Sequence, residues 1–244
     1  MKRILAIDTS SAWCSVALSF GEQETAFRHQ PVTAGASQLL LPWVEEILED
    51  SKLAMADLDA IAIGIGPGAF TGVRLGVAIV QGLALAANLP VIPITSLDAI
   101  AMQLVISPNF PKVQRSQFVI AVDARMDEIY WAKYQYIATG IVPQRIGDIH
   151  LTSPEEIDLK DAQYLAGSAI NAYGKRLFVH RQFSADCLDS DINISALGIL
   201  SLAKSAFTGG QQISVHELEP LYVRNKVALT SEERELLLEK SKHQ

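Results

Sequence analysis

Asp8 closes a short apolar run, Ile4-Leu5-Ala6-Ile7, and is followed by Thr9, Ser10 and Ser11. A carboxylate at the end of a first strand stands where open α/β sheets present their ligands. It could hold a magnesium ion through water while the neighbouring hydroxyls turn to a phosphate. The same residue types also form an Asx or Ser turn that only closes a hairpin. A second aspartate-ended run, Phe118-Val-Ile-Ala-Val-Asp123, has Arg125 two residues on and invites the same pair of readings, a ligand-bearing edge or a local ion pair.

Between these lies Gly64-Ile-Gly66-Pro-Gly68-Ala-Phe-Thr71-Gly72, which leaves an apolar strand and enters an apolar helix. Free backbone N–H groups at such a helix start could cradle an anion, with Thr71 as N-cap. Gly66, Gly68 and Gly72 equally suit a tight turn and close helix–sheet packing. The turn has neither the Lys-Ser/Thr of a Walker A loop nor the G-x-G-x-x-G spacing, so phosphate binding is a weak reading. Arg74, in the first turn of the helix, opposes the helix dipole and predicts an anion, an acidic side chain or a partner facing it.

Other chemistry finds little support. The five histidines are scattered, with no H-x-x-x-H or H-E-x-x-H, and no G-x-S-x-G surrounds a serine. Cys14 and Cys187 are too few for a disulfide framework or a zinc site with close ligand pairs. A net charge of -7 argues against a broad RNA-tracking surface, leaving at most a local patch such as Arg28, Arg115 or Arg145. The apolar run at the N-terminus is far shorter than a signal peptide's, and no membrane association is expected. The expected compartment is the cytoplasm.

The elements that must position these residues follow from periodicity. Ile4–Ile7, Ser15–Phe20 and Glu24–His29 read as a meander of three strands. A helix over Ser37–Asp50, with Ser37 as N-cap and Pro42 as a disturbance, leads to a strand over Ile61–Ile65. After the glycine turn come a helix over Thr71–Ala87, a strand over Val91–Ile94 and a helix from Ser96 to about Val105. The pattern then starts again at Phe118, with strands at Glu128–Tyr136, about Arg145–Leu151 and Tyr164–Gly167, and helices at Ala169–His180 and Ser195–Phe207. A repeat of this kind predicts two stacked α/β lobes with a cleft between them. The expected division is an N-terminal lobe over 1–107, a C-terminal lobe over 108–225, and a terminal helix and tail over 226–244, with Ser231–Lys240 amphipathic.

The helix from Thr71 has two apolar stripes, Val73, Val77, Val80, Ala84 and Leu75, Ile79, Leu83, Ala86, and almost no polar face. A helix apolar all round must be covered all round. With Leu40, Trp43, Val44 and Ile47 of the preceding helix it predicts either burial inside a thick lobe or a two-helix surface for another subunit.

Taken together, Leu5-Ala-Ile-Asp-Thr-Ser10, Gly66-Pro-Gly-Ala-Phe-Thr-Gly-Val-Arg-Leu-Gly76, Asp123-Ala-Arg with Glu128-Ile-Tyr130, and Glu219-Pro-Leu-Tyr-Val-Arg224 resemble the bacterial TsaB family in order and across nearly the whole chain. The resemblance implies an α/β, two-lobed, actin-like ATPase or sugar-kinase fold of ribonuclease H-like type, built from duplicated βββαβα units. It implies a non-catalytic scaffold acting with TsaD and the ATPase TsaE in transfer of threonylcarbamoyl to the adenosine beside the anticodon of tRNAs reading codons that start with A. The catalytic paralogue TsaD carries H-x-x-x-H where this chain has Ser96 and Ile100, and neither side chain can replace an imidazole ligand. No catalytic residue, metal or cofactor is therefore expected. The cleft at Asp8, Thr9, Ser10, Gly66, Gly68, Thr71, Gly72 and Asp123 would be vestigial, with room for weak nucleotide binding.

The resemblance also implies partner contact with TsaD through first-lobe helices, for which Leu40, Trp43, Val44, Ile47, Val73, Arg74, Val77 and Val80 are the expected residues. The same surface would serve a homodimer when TsaD is absent, TsaE would dock on the TsaB–TsaD pair, and tRNA would be met only indirectly. The alternative is a metal-dependent peptidase or small-molecule kinase of the same fold, working in the cleft between Asp8, the glycine turn and Asp123.

Overall fold

The computed structural model describes residues 2–20, 25–32, 35–108, 110, 115–137 and 142–224. Within them stand two five-stranded sheets of the same design. In the first, β1 (Ile4–Asp8), β2 (Trp13–Ser19) and β3 (Thr25–Pro31) form an antiparallel meander. β4 (Ala60–Gly64) and β5 (Val91–Ile94) add in parallel beyond β1, giving the order β3-β2-β1-β4-β5. In the second, β6 (Arg115–Arg125), β7 (Glu128–Ile137) and β8 (Gln144–Thr152) repeat the meander, and β9 (Tyr164–Ala166) and β10 (Leu188–Asp189) lie parallel beyond β6. This duplicated arrangement is that of the two-lobed actin-like, ribonuclease H-like folds.

Parallel neighbours need crossovers, and the helices supply them. In the first half α1 (Ala36–Asp50) joins β3 to β4 and α2 (Phe70–Ala87) joins β4 to β5, after which α3 (Ser96–Ile106) leaves the sheet. In the second half a 3-10 turn at Pro154–Glu156 stands in place of α1, followed by α4 (Ala169–Tyr173) and α5 (Ala196–Thr208).

The inner strands are buried on both faces, which is why they read as unbroken apolar runs. Alternation then assigns each side chain to a layer. Leu5 and Ile7 join Val16, Leu18, Ile61 and Ile63 beneath α1 and α2, while Ile4, Ala6 and Ala62 face the opposite way. Those latter residues meet α3, α5 and, from the second sheet, Phe118, Ile120 and Tyr134 in one continuous core. Val119, Ala121 and Leu165 form a third core on the far side.

The central layer is exchanged between the halves. α5, from the second half, packs on β1, β2, β4 and β5, whereas α3, from the first half, packs on β6 and β7 as well as on α5. The two helices come so close that a Cβ on Gly198 would strike the Ala99 carbonyl oxygen. Polar ties fix their positions: the Ser195 hydroxyl donates to Gln103 Oε1 at 2.6 Å, and the Ala196 N–H donates to the Ser15 hydroxyl of β2 at 2.9 Å.

The chain then returns along the first sheet. Ile213 bridges Val91, the Leu221 N–H donates to the Ile65 carbonyl at 2.8 Å, and Gln81 donates to the Leu218 carbonyl at 2.9 Å. The division at 107/108 thus separates the two sheets, but the stretch from α5 to Arg224, expected in the C-terminal lobe, packs largely on the first.

Several boundaries differ from expectation for local reasons. α1 starts at Ala36 behind Gly35, whose φ of 99° makes it a left-handed cap, so Ser37 is not the N-cap. Pro42 sits inside α1 on its exposed side, where water can take the carbonyl partner that proline cannot. α2 starts at Phe70 with Ala69 as cap, which leaves Thr71 as a second helical residue with an exposed side chain. The helix expected to reach His180 stops at Tyr173, because Gly174 takes a φ of 49° and the chain continues as a 3-10 turn. The helix expected at Ser231–Lys240 lies outside the described residues. By length and composition α2 could cross a membrane, but its stripe of Val73, Val77, Val80 and Ala84 is packed on the first sheet.

Because the α3–α5 contact admits no side chain at Gly198, Gly198→Ala should lower stability by about 1–3 kcal/mol through overpacking. Chemical denaturation measures this, and an unchanged midpoint would show that the two helices can part without cost.

Candidate functional site

The ends of β1 and β4 bring Asp8, Thr9 and Ser10 against the glycine turn, as the sequence suggested, but with no space between them. Asp8, Thr9 and Ser10 are 0, 1 and 2% exposed. The Ala69 N–H donates to the Ser10 carbonyl at 2.7 Å, and the Thr9 hydroxyl donates to the Gly72 carbonyl at 2.7 Å. A Cβ on Gly68 would strike the Ser10 carbonyl oxygen, and one on Gly72 that of Thr9. These two glycines are required by direct backbone contact with Thr9 and Ser10, just past the end of β1. Gly66, at a φ of 97° and followed by a cis peptide bond to Pro67, turns its carbonyl to the Ser96 N–H at 2.8 Å.

Behind the turn the Ser10 and Ser96 hydroxyls are 3.0 Å apart, and Ile100 lies in the central core. Ser96 and Ile100, which the resemblance set where a histidine pair would stand, are packed into the interior. The turn ties β1 to the starts of α2 and α3.

Sealing leaves an electrostatic cost. Asp8 Oδ2 accepts the Ser10 N–H at 3.2 Å, but Oδ1 has no hydrogen-bond partner. Burial pushes the Asp8 carboxyl up to about 7, against the smaller opposing effect of its Ser10 contacts. The nearby Cys14 thiol is pushed up to about 11, first by burial and then by the Asp8 charge.

Asp123 occupies the corresponding end of β6, in a different setting. Its Oδ1 accepts from the Tyr173 hydroxyl and from the Arg125 N–H, each at 2.8 Å, and its Oδ2 pairs with the Arg125 guanidinium at 3.2 Å. The Tyr173 phenol is pushed up to about 12 by burial and by Asp123. The local ion-pair reading holds here. Asp8 and Asp123 each close their own sheet.

The open part of the cleft is a cavity of about 220 Å³ between the glycine turn, the β6–β7 turn and the stretch ending at Arg224. Phe70, Met126, Tyr222 and Arg224 line it, none of them expected from residue types. The only sequence signal was the motif Glu219–Arg224, whose backbone passes along the cavity. At its edge Arg74 Nε donates to the Tyr222 hydroxyl at 2.8 Å, and its guanidinium lies 3.6 Å from the centre of the Phe70 ring.

The expected partner residues need correction. Leu40, Val44, Ile47, Val73, Val77 and Val80 are all at most 5% exposed and pack on the first sheet's Leu5, Ile7, Val16 and Leu18. A sheet face of branched aliphatics takes the most apolar stripe of each covering helix, so these residues face inward. Trp43 is half-buried and Arg74 is exposed. The outer side of α2 presents Ala78, Gly82 and Leu85, flanked by half-buried Leu75 and Ile79. The outer side of α1 is acidic, with Glu45, Glu46, Glu49 and Asp50 beside Leu41. Of the arginines weighed for RNA, Arg28 pairs with Asp50 at 3.2 Å and Arg145 with Asp98 at 3.5 Å.

The chain matches the family model described as TsaD: tRNA N6-adenosine threonylcarbamoyltransferase over residues 32–235. It is 35% identical over 237 residues to the tRNA threonylcarbamoyladenosine biosynthesis protein TsaB of Haemophilus influenzae, covering 92% of this chain and 94% of that protein. It is also 35% identical over 231 residues to the protein of the same name from Escherichia coli, covering 93% and 96%. The solved structure described as YeaZ from Pseudomonas aeruginosa superimposes with a TM-score of 0.80 at 33% identity, covering 91% of this chain and all of that one.

Asp8 supplies a signed test. Its carboxyl titrates near 7 when folded against an ordinary value of 3.8. The native state therefore binds more protons than the unfolded chain between those values, and stability falls as pH rises from about 4 to about 7. Denaturant midpoints across that range should show the decline, and Asp8→Asn should flatten it. A decline that persists in the variant would assign it to other groups.

Proposed function

The chain belongs to the TsaB family, and from that membership we propose that it takes part in threonylcarbamoyladenosine synthesis on tRNA as a non-catalytic scaffold in the cytoplasm. In this reading it binds TsaD and, with TsaE docked on the pair, supports transfer of the threonylcarbamoyl group to the adenosine next to the anticodon. One observation carries the non-catalytic part. Asp8, the only buried acid among the described residues, lies beneath a glycine turn bonded to Thr9 and Ser10, the residues that directly follow it, and that contact would have to part for a nucleotide to enter. A peptidase or kinase working at Asp8 would need solvent and substrate where there is backbone contact.

The surface proposed for TsaD is the outer side of α2. Ala78, Gly82 and Leu85 combine small residues, which let a second helix approach closely, with an exposed leucine of 62% relative exposure. Half-buried Leu75, Ile79 and Trp43 extend it. The same side would serve a homodimer when TsaD is absent. Arg74 stands one turn before Ala78 on the same exposed side, at the end of α2 that borders the cleft, where it meets Tyr222.

A Cβ on Gly82 meets nothing, so Gly82→Glu should fold normally while placing a carboxylate in the proposed contact. An unpaired charge buried there should weaken co-elution with TsaD by at least about tenfold, roughly 1.4 kcal/mol. tRNA modification in a mixture reconstituted with TsaD, TsaE and threonylcarbamoyl-AMP should fall in parallel. Val77→Glu would be uninformative, since it puts the charge in the protein's own core. Undiminished TsaD binding by the Gly82 variant would place the contact elsewhere, and modification proceeding without this chain would end the scaffold reading.

A further inference from the structure

We propose that the open cavity of the cleft is a docking site for a segment of a protein partner that presents an aromatic or bulky aliphatic side chain beside a carboxylate. The site lies at the N-terminal end of α2, one helical turn before the patch of Ala78, Gly82 and Leu85, and is tested apart from it. Exposed apolar side chains are concentrated here. Of the eight large hydrophobics that are exposed among the described residues, Phe70, Met126 and Tyr222 line this one cavity, at 42, 59 and 51% exposure. At about 220 Å³ it falls below the roughly 300–1,000 Å³ of sites that enclose whole small-molecule ligands. A single anchoring side chain fits that size.

Charge then selects the neighbour of that anchor. Three arginines nearby are already matched with acids: Arg224 with Glu128 at 2.7 Å, Arg125 with Asp123 at 3.2 Å, and Arg176 with Asp127 and Glu155. Among the described residues the partners of Arg74 are the Tyr222 hydroxyl and the rings of Phe70 and Tyr222, none of them an acid. On a chain of net charge -7 this is a cation with no acidic partner among the described residues, set against two rings at the rim of an apolar cavity. Arginine and tyrosine set around an apolar pocket are the residue types that carry most binding energy in protein interfaces, and their mutual contacts lower the ordering cost of binding.

The opposite wall is held in an unusual backbone state. Arg125, Met126 and Asp127 take φ values of 61°, 55° and 64°, a left-handed run that side chains disfavour. Arg224 fixes the run from one side, through the Ala124 carbonyl and Met126 Sδ at 3.0 Å each. Arg176 fixes it from the other, through Asp127 Oδ2 at 3.0 Å. The result is a Met126 side chain displayed at the cavity, and methionine adapts its shape to varied apolar anchors.

The experiment is selection of random displayed peptides on the immobilised full-length protein, followed by fluorescence anisotropy with the best peptide. The expected consensus is an aromatic or large aliphatic residue next to Asp or Glu. Binding should fall about tenfold with Arg74→Gln. It should fall similarly when the peptide's acid is made an amide, and Arg74→Glu should shift the selected consensus toward Lys or Arg. Circular dichroism of the variants, unchanged because Arg74 is exposed, keeps folding out of the comparison. No selected peptides, a consensus without an acid, or undiminished binding to Arg74→Gln would overturn the proposal. Displacement of the peptide by AMP would overturn it in favour of a nucleotide. A consensus reproducing part of this chain would overturn it in favour of a second copy or of residues 225–244.

Discussion

The backbone approach of α3 to α5 at Ala99 and Gly198 sets the spacing of everything else. α5 covers the first sheet and α3 the second, so the two sheets are joined through the contact of these helices, which is close because no side chain intervenes at Gly198. That contact in turn fixes where the ends of β1 and β6 stand relative to each other. Ser96, at the start of α3, meets Ser10 at the end of β1, and the glycine turn folds over both. The sealed strand end is therefore a consequence of the central layer as much as of the turn.

Sealing and openness divide the cleft in two. On the inner side hydrogen bonds between backbone segments leave Asp8 with an unpaired oxygen and a carboxyl that resists ionisation. On the outer side the glycine turn and the Glu219–Arg224 stretch leave an apolar cavity whose lining arginines, Arg125 and Arg224, pair with acids of the chain, while Arg74 at its edge meets none among the described residues. Catalysis would need the first region open, whereas recognition needs only the second.

Much of the fold was legible because both faces of the inner strands are buried, so Ile4–Ile7, Ile61–Ile65 and Phe118–Val122 carry a signal that survives without any alternation. The repeat of an apolar strand ended by aspartate gave the second sheet. β10 was not legible, since two residues carry no period. Nor was the exchange of α3 and α5: their apolar stripes say that they are buried, but not against which sheet. The orientation of α2 failed for a related reason. With two apolar stripes around one helix, composition could not choose the inner one, and the sheet's branched side chains decided it. At the site, Asp8 through Gly72 were found by type and spacing. Met126 and Tyr222 were not, because their role comes from a turn and an irregular stretch some hundred residues apart that meet only in the fold.

The exchanged helices carry an evolutionary consequence. A half-length ancestor with β1 to α3 alone would have had one sheet face without its covering helix and one helix without its sheet. A second copy of itself, offering its last helix in return, would supply cover of the right shape, which is domain swapping in a symmetric dimer. Fusion of two such genes would convert that dimer into one chain with the swap preserved. Afterwards each half could diverge, since neither had to bind an identical twin. The 3-10 turn at Pro154–Glu156, standing where the first half has α1, is a difference that two halves joined in one chain can tolerate, since neither has to pair with an identical copy.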